Sequence, residues 1–285
     1  MSVIDTPITI QGRNADLYVE QVGPQDAASV LYLHGGPGYN AFSFRDLVGD
    51  ELREWRMLYA DQRGGGRSYA DGDFTSDDLV ADAITVLDAT QRDSATLLAH
   101  GFGALVAVKV AAFHPDRVDG LVLINPWFSM PALAKVLHRT ATHAADSDAG
   151  GTGDAPDDPA QAVDEAFALS DPKTLFDSLE FPNPASLMHL EHIDSIAHYG
   201  PQERSVPLDT WTADALPHLD DVRCGVVTLF STEDGTAMPE QAELGLARLP
   251  QATTGMVQGG HYPWLDDPET FFPLLQEALQ GFRRS

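Results

Sequence analysis

Residues 97–104 read Leu97-Leu98-Ala99-His100-Gly101-Phe102-Gly103-Ala104, an apolar run that passes through small residues straight into a helix-like pattern. Small residues at 99, 101, 103 and 104 let a helix fold back tightly against the strand it has just left. The apex of such a turn takes a positive φ, where a side chain costs roughly 1–3 kcal/mol of strain and glycine almost none. In open parallel sheets, ligands sit beyond the carboxyl ends of the strands. This turn therefore marks the edge where chemistry is to be sought.

Similar runs flank it. Val30–Leu33, Met57–Ala60 and Val118–Ile124 are apolar enough for strands buried on both faces, and helical patterns separate them at Phe42–Leu52, Asp77–Ala89 and Leu105–Phe113. Two alternating runs, Ile8–Ile10 and Asp16–Val22, open the chain as an antiparallel pair. The alternation of strand and helix predicts an α/β fold built on a mostly parallel, doubly wound sheet. From Pro126 to about Leu219 only helical pieces appear, at Pro131–His143, Ala160–Leu169 and Ala185–His198. The sheet pattern resumes at Cys224–Phe230 and Thr253–Gln258, with helices at Pro239–Leu249 and Pro268–Phe282. The expected organisation is a core domain of residues 1–125 and 220–285, with a helical lid of residues 126–219 inserted after the sixth strand. Residues 141–165, acidic and without Lys or Arg, are expected to be a mobile stretch of that lid.

The 285 residues are 43% hydrophobic and 21% charged, ordinary proportions for a chain with a real core. A net charge of −26 repels phosphate backbones and anionic lipid, so neither nucleic acid nor a membrane surface is an expected partner. The single cysteine, Cys224, cannot form an internal disulfide, and the first twenty residues hold no apolar segment of the secretory kind. Both fit a cytoplasmic protein, and with those partners set aside the expected one is a small molecule or short peptide. Oligomeric state leaves no trace in the sequence.

Three further strand ends carry chemistry. His34-Gly35-Gly36-Pro37-Gly38 follows the first buried strand and can turn a backbone N–H into a cavity, as an oxyanion hole requires. Asp234 and His261 follow the two last strands, in Ser231-Thr232-Glu233-Asp234 and Gly259-Gly260-His261. A tight elbow, an acid and a histidine in that order make a catalytic constellation in which the acid orients the imidazole. The elbow pattern G-x-S-x-G holds its serine at the apex, where this chain has Gly101, and its first glycine is Ala99. Asp61-Gln62-Arg63-Gly64-Gly65-Gly66-Arg67-Ser68 reads as a structural turn, because no helix or phosphate-binding lysine follows it. His189, Glu191 and His192 lack metal-binding spacing, so no metal or other cofactor is expected.

The strings at 34–38 and 61–68, with the elbow-to-acid-to-histidine spacing, resemble the proline iminopeptidase branch of the α/β-hydrolases over nearly the whole chain. The resemblance implies oxyanion donors at the backbone N–H groups of Gly36 and Phe102. It also implies a lid glutamate that binds the substrate's α-amino group, and Gly200-Pro201-Gln202-Glu203 is similar to that family's string, which points to Glu203. His34 and Gly35 join Glu203 as expected substrate-binding residues. Some relatives carry a second glutamate just after the catalytic acid, where this chain has Gly235, which leaves esterase or amidase specificity open.

Gly101 leaves three readings. The chain is a hydrolase of small esters, amides or N-terminal aminoacyl groups with its serine nucleophile absent; or it uses the His261–Asp234 dyad as a general base; or it is a non-catalytic small-molecule binder. Retention of both dyad residues counts against the last.

Overall fold

The computed structural model describes residues 3–145, 154–197 and 205–283. In chain order the elements are β1 (Val3–Gly12), β2 (Ala15–Pro24), β3 (Ser29–Leu33), α1 (Phe42–Val48), β4 (Arg56–Ala60), β5 (Tyr69–Ala70), α2 (Ser76–Ala89), β6 (Ala95–His100), α3 (Phe102–Phe113) and β7 (Val118–Ile124). Then follow α4 (Met130–Ala145), α5 (Pro159–Leu169), α6 (Pro172–Glu180), α7 (Pro184–Ile196), β8 (Gly225–Ser231), α8 (Glu240–Leu246), β9 (Thr253–Val257), α9 (Pro263–Asp266) and α10 (Pro268–Gln280).

The sheet runs β1-β2-β4-β3-β6-β7-β8-β9, with β5 paired to β2. The β1–β2 and β2–β4 pairs are antiparallel, and every pair from β4–β3 to β8–β9 is parallel. Strand alternation divides the core into two layers. Leu31, Leu33, Leu97, Ala99, Leu121 and Leu123 face a layer that includes α2, α3 and part of the inserted helices. Val30, Tyr32, Leu98, Val122 and Ile124 face another that includes α1, α9 and α10. Covering both faces explains why the central strands read as largely apolar runs.

Several boundaries move for local reasons. The pattern at 42–52 is an α-helix to Val48 followed by a 3₁₀ turn, Gly49–Leu52. Helix α3 begins at Phe102, three residues before its expected start, because the elbow leads into it without a spacer. The two-residue β5 carries too little pattern to be seen in sequence, and counting it makes β7 the seventh strand. The acidic stretch is helical at both ends, which corrects the expectation there: residues 141–145 complete α4 and 159–165 open α5, capped by the Asp158 carboxylate on Ala160 N. Residues 146–153 lie outside the described residues. Among the described residues four α-helices thus separate β7 from β8, and an isolated bridge ties Ser129 to Asp214 beside them. Among the described residues no helix is long and apolar enough to cross a membrane.

Candidate active site

Four of the parallel strands, β3, β6, β8 and β9, deliver the site. The elbow after β6 puts Gly101 at φ +49° and ψ −118°, immediately before α3. Its compactness depends on Gly103, where a Cβ would stand 2.2 Å from the Leu33 carbonyl oxygen. No intrahelical carbonyl can reach the amide of Phe102, the first residue of α3. The loop after β3 brings Gly35 and Gly36 to the wall of the cavity that His261 also lines.

Asp234 beyond β8 and His261 beyond β9 meet through a 2.7 Å hydrogen bond from Nδ1–H to Oδ2. The other carboxylate oxygen accepts from Thr236 N at 2.8 Å, Thr236 Oγ1 at 2.6 Å and Ala237 N at 3.2 Å. These bonds fix the acid, and the acid fixes the imidazole tautomer with its proton on Nδ1. The lone pair of Nε2 is thereby directed at the apex: a Cβ built on Gly101 would lie only 2.9 Å from it. A serine hydroxyl donating to that nitrogen would need about 2.8 Å for the hydrogen bond alone. The ring has thus advanced into space that a serine side chain would claim.

Burial lowers the proton affinity of His261, but the Asp234 charge, the Glu180 charge and the Asp234 hydrogen bond together raise it above the ordinary histidine value. Its backbone is pinned as firmly as its ring. Glu180 O accepts His261 N–H at 2.8 Å, while His261 O accepts from His100 Nε2 at 2.9 Å and Asn125 Nδ2 at 3.0 Å. Because a carbonyl only accepts, His100 carries its proton on Nε2. Burial holds His100 well below the ordinary histidine range, so it stays neutral. Trp127 stacks on the His261 ring at 5.2 Å and donates its indole N–H to Thr236 Oγ1 at 3.0 Å.

The cavity has a volume of about 420 Å³, in the range of small-molecule sites. Trp127, Met130, Phe176, Val206, Trp211 and Tyr262 give it an apolar wall, interrupted by His261 and Glu180. Glu180 ends α6 and is 8% exposed. Burial pushes its carboxyl up to about 7, against the pull of a charged His261 and with help from Asp234 and Asp177. Sequence reasoning passed over it, because a glutamate at the end of an amphipathic helix carries no signal of burial.

Not every expected residue belongs here. His34 is fully buried and absent from the cavity wall, which corrects its placement among substrate-binding residues. Its Nδ1–H donates to Gly35 O at 3.0 Å and its Nε2 accepts from Gln62 N at 2.9 Å. The ring therefore splices the loops after β3 and β4, and burial keeps it neutral. Asp61, in the second glycine-rich string, accepts from Ala41 N and Arg67 N, each at 2.8 Å, in line with a structural turn. Glu203 lies outside the described residues. Among those described, no group of three or more His, Cys, Asp or Glu is placed to hold a metal.

Comparison with known proteins agrees with this architecture. The proline iminopeptidase-related protein of Thermus thermophilus superposes with a TM-score of 0.84 at 34% identity, over 99% of each chain. RutD of Caulobacter segnis, named for carbamate hydrolysis, is 26% identical over 90% of this chain and 94% of its own length. The proline iminopeptidase of Neisseria gonorrhoeae is 33% identical, but over only 41% of this chain and 38% of its own. Residues 28–268 match the family described as the alpha/beta hydrolase fold. With that match over most of its length, the chain belongs to the α/β-hydrolase fold family.

Proposed function

We propose that the protein is a serine-free hydrolase of small esters, amides or N-terminal aminoacyl groups, with the His261–Asp234 dyad as its catalytic base. The observation that carries this reading is the lone pair of His261 Nε2, aimed at an apex that holds no side chain and backed by a fully bonded carboxylate. A substrate carbonyl seated over Gly101 places its oxygen toward the amides of Gly36 and Phe102, which stabilise the charge that develops on it. Nε2 takes a proton from a water molecule, and the resulting hydroxide oxygen attacks the carbonyl carbon. No acyl-enzyme forms, because the apex has no hydroxyl to acylate. The apolar wall of the cavity favours an acyl group or leaving group with hydrocarbon character. Relatives named for carbamate hydrolysis and for proline iminopeptidase activity support a carbonyl compound as the substrate class.

The retained dyad separates this reading from a binding protein, which needs no oriented base. The test is hydrolysis of a panel of 4-nitrophenyl esters and aminoacyl anilides by the parent and by His261→Ala. The parent turns over at least one compound and the variant loses that activity by about 10²-fold or more. Equal rates in the two proteins overturn the proposal.

A further inference from the structure

The carboxyl group of Glu180 has no task in the scheme above. It is more than nine-tenths buried and opens into the cavity that holds the His261 ring. Among the described residues it has no hydrogen-bond donor and no ion-pair partner. The other buried carboxylates near the sheet edge are engaged. Asp234 accepts from His261, Thr236 and Ala237, and Asp61 from Ala41 and Arg67. An unpaired buried carboxyl is expensive, and a protein ordinarily neutralises it or gives it a partner. Glu180 is also positioned with care. Its own carbonyl accepts the His261 N–H, and the close approach of the two segments requires Gly260, where a Cβ would meet that carbonyl at 2.0 Å.

We propose that Glu180 is a second catalytic residue, the general acid that protonates the leaving group of the substrate. The inference rests on the hydrolase reading and completes its proton balance. When His261 Nε2 takes a proton from water, the oxygen forms a bond to the carbonyl carbon. Collapse of the tetrahedral intermediate then breaks the bond from that carbon to the leaving oxygen or nitrogen, which keeps the electron pair. The Glu180 carboxyl supplies the proton that converts this atom to an alcohol or amine. The site ends with His261 protonated and Glu180 ionised, and a proton passing from one to the other through solvent restores it. The groups that face Glu180 are His261 and Tyr262 beyond β9, Asp234 beyond β8 and Asp177 on its own helix. Burial above all, and then the two acids, disfavour a negative charge there and keep the proton on Glu180 near neutral pH, against the pull of a charged His261.

The chemical class that gains is esters and amides with poor leaving groups, alkoxides and amines that cannot depart without a proton. The experiment compares Glu180→Gln with the parent on two esters of one acyl group, a 4-nitrophenyl ester and an ethyl ester. Nitrophenolate leaves unprotonated. Loss of the acid is expected to slow the ethyl ester on the order of 10²-fold and the nitrophenyl ester less than about threefold. The fall in ethyl-ester rate at alkaline pH, caused by ionisation of Glu180, is expected to vanish in the variant. Glu180→Asp keeps an acid at the position and recovers part of the ethyl-ester rate. Equal slowing of both esters, or an unchanged alkaline limb, overturns the assignment and leaves the His261 base intact. If the parent hydrolyses neither ester while His261→Ala behaves identically, the hydrolase reading falls, and the acid with it.

Discussion

Glu180→Gln also tests the site through stability, independently of any substrate. In the unfolded chain the carboxyl titrates at its usual value of 4.5, whereas burial in the folded protein lifts it to about 7. The folded state therefore holds a proton that the unfolded state has lost throughout that interval. An acid with a raised folded-state value makes the fold less stable as pH rises, and the penalty is complete above pH 7. Each tenfold change in proton affinity is worth about 1.4 kcal/mol, so the full penalty is about 3 kcal/mol. Glutamine matches the shape and polarity of the protonated acid, so the substitution removes the charge alone. The variant is expected to be more stable than the parent by about 3 kcal/mol at pH 8 and by only about 1 kcal/mol at pH 5. Urea unfolding at the two pH values measures the difference, and at pH 8 the melting temperature rises by about 5 °C. An equal effect at both pH values, or a variant weaker than the parent at pH 8, would show that the carboxyl is solvated or paired, and the argument from burial would fail.

Asp234→Asn removes the charge that raises the His261 proton affinity. The acid limb of the rate profile then moves to lower pH while the plateau rate falls by about 10²- to 10⁴-fold, as steady-state kinetics across pH would show. Gly101→Ser introduces a side chain at φ +49° and within 2.9 Å of His261 Nε2; denaturant unfolding is expected to register a loss of about 1–3 kcal/mol, and no loss would contradict the elbow geometry. Gly103→Ala drives a methyl to 2.2 Å from the Leu33 carbonyl oxygen, and because backbone must shift, a loss of about 3 kcal/mol or failure to fold is expected.

The parts of the fold legible in sequence were those in which local pattern and tertiary role coincide. Val30–Leu33 and Leu97–Ala99 are apolar at every position because both faces of the sheet are covered there. Gly101, Asp234 and His261 were legible because each stands a few residues past a strand, where chain direction alone sends a side chain toward the functional edge. His34 was misplaced by the same logic. It also follows a strand, but its ring is spent on Gln62 N and Gly35 O, and only the adjacency of β3 and β4 reveals that demand. Glu180 could not be read at all. Its burial depends on the last turn of α6 packing against Gly260 and His261, eighty residues away, and amphipathic spacing indicates which face is inward without indicating how deep it lies.

The energetics of the site bear on why the apex glycine and the acid belong to one design. Without a side chain at 101 the elbow is free of the roughly 1–3 kcal/mol that a serine would cost there, and the imidazole can approach the apex more closely than a hydrogen-bonded hydroxyl would permit. At the same edge, Glu180 gives up about 3 kcal/mol of stability above neutral pH. A purely structural carboxyl would relieve that penalty by turning outward or taking up a cation, and among the described residues this one does neither. Displaced proton affinities on titratable groups that share a cavity are what the proposed acid–base chemistry draws on. Two groups with raised proton affinities, an imidazole beside a carboxylate and a buried carboxyl without a partner, are the acid–base pair that the proposal requires. Such a pair can move a proton in and another out in one turnover, which a site lacking a covalent intermediate needs if it is to expel a strongly basic leaving group.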